Sequence, residues 1–190
     1  APWGGVIEDP SGTLVGMASD GGTGSEGGLY KFVISGATGS VLLPFSYANG
    51  ANPRGRLLKA SNGLFYGLTS AGGENSGGTL FSIDPANANF ITRHHFDATK
   101  GTIPMGTLVE DNGKLYGVCG SGGTSNGGTL FEYTIASNAL SVKVNFASST
   151  AGTGPVNGLF KASNGSIYGA TGAGAASGQG AFFEYTPGSN

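Results

Sequence analysis

The sequence predicts an all-β fold: four repeats of about 51 residues, each a small antiparallel sheet. A four-bladed β-propeller-like array is the leading arrangement, and an open β-solenoid or arc of small sheets is the alternative. Three observations carry this. First, Gly77-Gly78-Thr79-Leu80-Phe81 returns as Gly127-Gly128-Thr129-Leu130-Phe131, with weaker copies at Glu26–Tyr30 and Gln179–Phe183. Second, a cassette precedes each copy: Gly12–Gly16, Gly63–Gly67, Gly113–Gly117 and Gly165–Gly169. Third, apolar residues between the glycines alternate with period two, and no segment carries a helical stripe. The chain reads as a single repeat domain, 1–190, with repeats at about 1–50, 51–101, 102–152 and 153–190.

The first repeat opens with the short apolar run Gly5–Glu8. Asp9-Pro10-Ser11-Gly12 is a turn, because each of these residues favours one for its own reason. Strands follow at Thr13–Ala18, Leu29–Ile34 and Val41–Phe45. Pro44 fits an edge strand, which needs fewer ladder donors. The second repeat has strands near Gly55–Lys59, Leu64–Thr69, Thr79–Asp84 and Phe90–Phe96. Ser61-Asn62-Gly63 is its first hairpin turn, since Asn and Gly tolerate positive φ.

The third repeat has strands near Thr107–Glu110, Lys114–Cys119, Thr129–Thr134 and Leu140–Phe146. Its turn Asp111-Asn112-Gly113 is one residue shorter, which leaves both flanking registers intact. The fourth has Gly158–Lys161, Ile167–Thr171 and Phe182–Thr186, and lacks a counterpart of the fourth strand. In such a meander the Gly-Gly loops near Gly22, Gly73, Gly123 and Gly174 share a face with the inter-repeat links near Pro2, Pro53, Pro104 and Pro155. The Asn-Gly turns lie on the opposite face. The long-loop face is the better candidate for contacts.

Composition narrows function. Glycine is 38 of 190 residues, and its periodicity means turns rather than low complexity. Charged residues are 11% and the net charge is −2, which excludes a nucleic-acid surface and an acidic-membrane binder. No apolar run approaches the roughly 20 residues of a membrane span. The one cysteine, Cys119, stands where the other repeats have Ala18, Thr69 and Thr171, and reads as a small buried strand residue. A chain beginning at Ala1 is compatible with a processed, secreted protein and equally with a fragment of a longer one.

The cassettes resemble the Gloeobacter/Verrucomicrobium (GloVer) repeat, marked by Leu-Tyr-Gly-Thr-Thr, a Gly-Gly loop, Gly-Gly-Thr-Val-Phe and a closing Phe. The matching stretches are Leu115-Tyr116-Gly117, Gly122-Gly123, Gly127–Phe131 and Phe146, and repeats two and four keep the same order. The first repeat departs, with Leu14-Val15-Gly16 for Leu-Tyr-Gly. The resemblance implies an exported, surface-exposed protein and brings no enzymatic activity with it.

No group of side chains points to catalysis, a cofactor or a metal. His94 and His95 are adjacent on a strand, so they face opposite sides and cannot share an ion. The carboxylates, among them Glu8, Asp9, Asp20, Glu26 and Asp97, fall in turns and strand ends and do not recur as an acid/base pair. Asp111-Asn112-Gly113 lacks the distal ligands of a calcium loop. The Gly-rich loops open no helix and carry no phosphate-binding lysine. Asn164-Gly165-Ser166 is a glycosylation sequon. The aromatics recur at core positions, Trp3 excepted. The expected function is a non-catalytic extracellular or cell-surface structural protein, self-assembling into homo-oligomers or filaments through open β-edges and loops. The alternative is a module that binds glycans or surface proteins, with Asn75 and Asn126 on its loop face.

Overall fold

The computed structural model describes residues 4–21, 24–149, 152–174 and 178–188. Among them there is no helix; every regular element is a strand. The first sheet contains β1 (Ile7–Glu8), β2 (Thr13–Ala18), β3 (Gly28–Val33) and β4 (Thr38–Pro44), paired antiparallel in chain order. The second contains β5 (Ala51–Pro53) and β6 (Leu58–Lys59), both paired to β7 (Phe65–Ala71), then β8 (Thr79–Asp84) and β9 (Asn89–His95). The third runs β10 (Thr102–Asp111), β11 (Lys114–Ser121), β12 (Thr129–Thr134) and β13 (Ala139–Asn145). The fourth has three strands, β14 (Thr153–Lys161), β15 (Ile167–Ala173) and β16 (Phe182–Tyr185). The all-β, propeller-like class expected from the repeats is therefore present, one sheet per repeat.

The sheets pack face to face in chain order, and each junction draws on the same repeat positions. The first cluster joins Val15, Met17, Leu29 and Phe45 of the first blade to Leu57, Phe65, Phe81 and Ile83 of the second. The second joins Tyr66, Leu68, Leu80 and Phe96 to Leu108, Leu115, Phe131 and Tyr133. The third joins Tyr116, Val118, Leu130 and Phe146 to Leu159 and Ile167, with Phe183 and Tyr185 packed against them. Period-two alternation gives every blade two such faces, one for each neighbour.

The cassettes now have physical meaning. A Cβ on Gly117 would sit 2.4 Å from the Phe131 ring and 2.7 Å from a Leu108 methyl. Gly67 meets Phe81 and Leu57 in the same way, and Gly169 meets Phe183 and Leu159. The glycine after Leu-Tyr therefore lets the cassette phenylalanine and the innermost leucine close over bare backbone. A bulge also recurs opposite the Leu-Phe step, at Leu29/Tyr30, Leu80/Phe81 and Leu130/Phe131.

The innermost strands differ from expectation. They begin near Ala51, Thr102 and Thr153, not near Gly55, Thr107 and Gly158, because the proline segments read as links are already paired. Pro53, Pro104 and Pro155 lie opposite Thr69, Cys119 and Thr171. Each strand has a neighbour on one side alone, so the missing proline N–H costs no ladder bond. The links do run beside the Gly-Gly loops: Asn52 N donates to Glu26 O, Ile103 N to Gly77 O and Gly154 N to Gly127 O. In the third blade Asp111 pairs with Lys114 across Asn112-Gly113, both at positive φ, the two-residue hairpin that closes with one residue fewer.

Candidate functional site

Among the described residues no strand of the first sheet pairs with one of the fourth, and the faces of these two sheets differ from the internal junctions. Leu29, Leu80 and Leu130 are 0% exposed at three internal junctions, whereas Phe182, at the same register in the fourth blade, is 90% exposed. Ile7, Leu58 and Val109 pack into junctions, whereas their counterpart Phe160 is 67% exposed. The far end mirrors this. Leu57, Leu108 and Leu159 are buried against the preceding blade, whereas Val6 is 56% exposed. Val6, Leu14, Gly16, Tyr30, Phe32 and Val41 line an open apolar recess of about 600 Å³ on the outer face of the first blade. The two ends thus carry the two complementary halves of an internal junction. The fourth sheet ends on β16, which among the described strands pairs with β15 alone.

The inner rim explains how the blades step. A Cβ on Gly4 would lie 1.9 Å from Gly55 O, one on Gly55 2.1 Å from Gly106 O, and one on Gly106 2.0 Å from Asn157 O. Each glycine admits the carbonyl of the next blade. Asn157 occupies the fourth of these positions at φ 65° and carries a side chain there. Beside this ladder is a second recess of about 390 Å³, lined by all four blades: Gly5, Arg54, Arg56, Thr107, Asn157 and Gly158 among others. The Pro-Arg-Gly-Arg run was readable as the one pair of arginines in a weakly charged chain, but reading it as link and strand start concealed that both face one recess.

The long-loop face holds its expected residues less openly. Asn126 turns its Oδ1 back to accept from Gly122 N at 3.1 Å, so it braces its own loop. Asn75 is exposed. Gly22, Pro2, Ala175 and Trp3 lie outside the described residues.

The titratable side chains are mostly structural. Glu132 is buried and accepts from Tyr116 Oη at 2.7 Å and Lys114 Nζ at 3.2 Å, with Lys143 Nζ at 3.4 Å. Burial works to raise this carboxyl, but the bonds from Tyr116 and Lys114 and the Lys143 charge outweigh it and hold it below the ordinary range. The Tyr116 hydroxyl is pushed well up by burial and by its bond to Glu132. Glu184 repeats the pairing, accepting from Tyr168 Oη at 2.9 Å.

Asp9 and Asp97 are tied into turns by the amides of Ser11 and Thr13, and of Thr99 and Lys100. Glu110 accepts from Ser61 of the preceding blade, and Lys161 reaches back to Asp111 at 2.6 Å. Asn164 sits in its hairpin turn, bonded to Tyr168 Oη. His94 packs edge-on against Phe96 with its Nε2 buried and unpartnered, while His95 Nδ1 accepts from Glu74 N. Among the described residues no three His, Cys, Asp or Glu side chains group as metal ligands, and no helix is long and apolar enough to cross a membrane. Cys119 is fully buried, and desolvation pushes its thiol far up.

Comparison with known proteins agrees with this architecture. The extracellular domain of a one-component system from B. thetaiotaomicron superposes with a TM-score of 0.64 at 14% identity, over 95% of this chain and 20% of that one. TolB from Acinetobacter baumannii gives 0.61 at 13% identity, over 95% and 40%. A gluconolactonase from Xanthomonas campestris gives 0.58 at 18% identity, over 97% and 62%. At these identities the likeness is one of fold, and the chain spans from a fifth to about three fifths of the structures it matches. No curated protein matches it significantly. The sequence profile of one family, however, covers residues 2–190, and with its cassettes placed at the blade junctions the chain belongs to the Gloeobacter/Verrucomicrobia repeat family.

Proposed function

We propose that this chain is a non-catalytic assembly module of the cell exterior that associates head to tail, the Phe182 face of one copy docking on the Val6 face of the next. The observation that carries the reading is the exposure of Phe182, whose register is fully buried in every internal junction, together with that of Phe160, whose counterparts are half-buried there. Burying one such phenylalanine contributes roughly 1.5–3 kcal/mol. The halves fit because three copies of the same contact already exist within the chain. The outer edge of β16 adds backbone donors and acceptors for a strand of the neighbour. A heterologous contact of this kind yields a ring or a filament, depending on whether its rotation closes. Export is favoured by the extracellular neighbours and by a weakly charged surface.

Light scattering and negative-stain microscopy across a concentration series test the proposal. Wild-type protein is expected to form oligomers or filaments, and Phe182→Asp to stay monomeric with an unchanged melting temperature. A wild-type monomer at every concentration would overturn it. A ligand-binding role is the second reading, favoured by the inner-rim recess.

A further inference from the structure

We propose that the inner-rim recess binds a small carboxylate-bearing ligand of acidic-sugar type, with Arg56 as its principal anchor and Arg54 beside it. Both arginines line the recess, and no acidic residue does. They come from one blade: at the positions equivalent to Arg54 the third and fourth blades have Met105 and Val156, and at those equivalent to Arg56 the other three have Gly5, Thr107 and Gly158. The small residues make the room and the second blade supplies the charge. A recess of about 390 Å³ lies at the small end of the range for ligand sites.

The arginine backbone is held before any ligand arrives. Gly106 N donates to Arg54 O at 2.9 Å, and Arg56 N donates to Thr107 Oγ1 at 3.4 Å. Gly55 between them is clamped by the Gly106 carbonyl, at φ 127°, where a side chain would collide. The Arg56 stem passes 3.4 Å from the position a Gly5 Cβ would take, so the first blade guides it. Both arginines are exposed. A guanidinium grips a carboxylate through two parallel bonds, and a site fixed in advance loses less on binding. The Thr107 hydroxyl and Asn157 carboxamide add the neutral polar partners that sugar hydroxyls require.

Titration calorimetry with glucuronate and glucose on wild-type protein and Arg56→Ala tests this. Glucuronate is expected to bind and glucose not. Arg56→Ala should weaken glucuronate at least tenfold while keeping its melting temperature, and Arg56→Lys should restore part of the affinity. No glucuronate binding at about 10 mM, equal binding of glucose, or an undiminished Arg56→Ala variant would each overturn the proposal. Repeating the titration on Phe182→Asp separates this site from the assembly faces, since that substitution is remote from the recess.

Discussion

Glu132 and His94 set how the protein responds to acid. Near neutral pH the folded and unfolded chains both hold Glu132 ionised, and its stabilisation is complete. As pH falls below the ordinary carboxyl value near 4.5, the unfolded chain takes up the proton first and that stabilisation drains away. His94 acts earlier. Burial disfavours its charged form, opposed by the Asp97 charge and assisted by His95 and Lys100, and the net shift is downward. Below about 6.5 the unfolded imidazole gains a proton that the folded one resists. Melting temperature is therefore expected to decline from about pH 6.5 and more steeply below about 4.5. Calorimetry on His94→Phe should flatten the first leg and on Glu132→Gln reduce the second. Glu132→Ala should cost about 1–3 kcal/mol, because it orphans the buried Tyr116 hydroxyl. Cys119 should resist a maleimide at pH 8 in the folded protein and react once unfolded. Burial of Cys119 was legible from the small residues at its register. The Glu132 network was not, because its donors arrive from β11 and from the bulge of β13, and no local pattern announces a cross-strand cluster.

At the scale of the strand, the repeated cassettes are solutions to one packing problem. The glycine in β11 admits the Phe131 ring over its backbone, so Gly117→Ala should destabilise the fold by about 1–3 kcal/mol through overpacking, measured by denaturant unfolding. Gly113→Ala has open space around it, and any loss there should come from its φ of 73° instead. Strands β2, β8 and β12 were legible to the residue, because apolar alternation and glycine punctuation agree there. The innermost strands were legible in their second halves alone. Proline and glycine interrupt their first halves, and those residues read as connections until the lack of a further inner neighbour shows why proline is harmless there. The Pro-Arg-Gly-Arg recess was hidden by the same misreading. Sequence spacing gives each arginine a strand position, but the facing of four blades on one rim is a tertiary fact.

Across the whole molecule, the described residues of four copies make three buried junctions, and apolar residues stand exposed on one face of the first blade and one of the fourth. The repeat count was legible. What the sequence does not show is that Phe182 and Val6, each an ordinary core residue by pattern, end at opposite exposed faces. The inner rim adds a constraint on any added junction. If a second copy docked as the internal blades do, its Gly4 carbonyl would meet the Asn157 Cβ, where Gly4, Gly55 and Gly106 present none. The contact between copies must therefore open slightly at the rim. Asn157→Gly is expected to relieve this and tighten association several-fold, read by sedimentation velocity.

The most direct measurement uses a Val6→Cys/Phe182→Cys double variant treated with a short bismaleimide, since the native thiol of Cys119 is buried. Head-to-tail docking predicts a ladder of covalent dimers, trimers and higher species that neither single variant extends beyond the dimer. A product confined to the monomer at concentrations where the double variant itself scatters as an oligomer would contradict it.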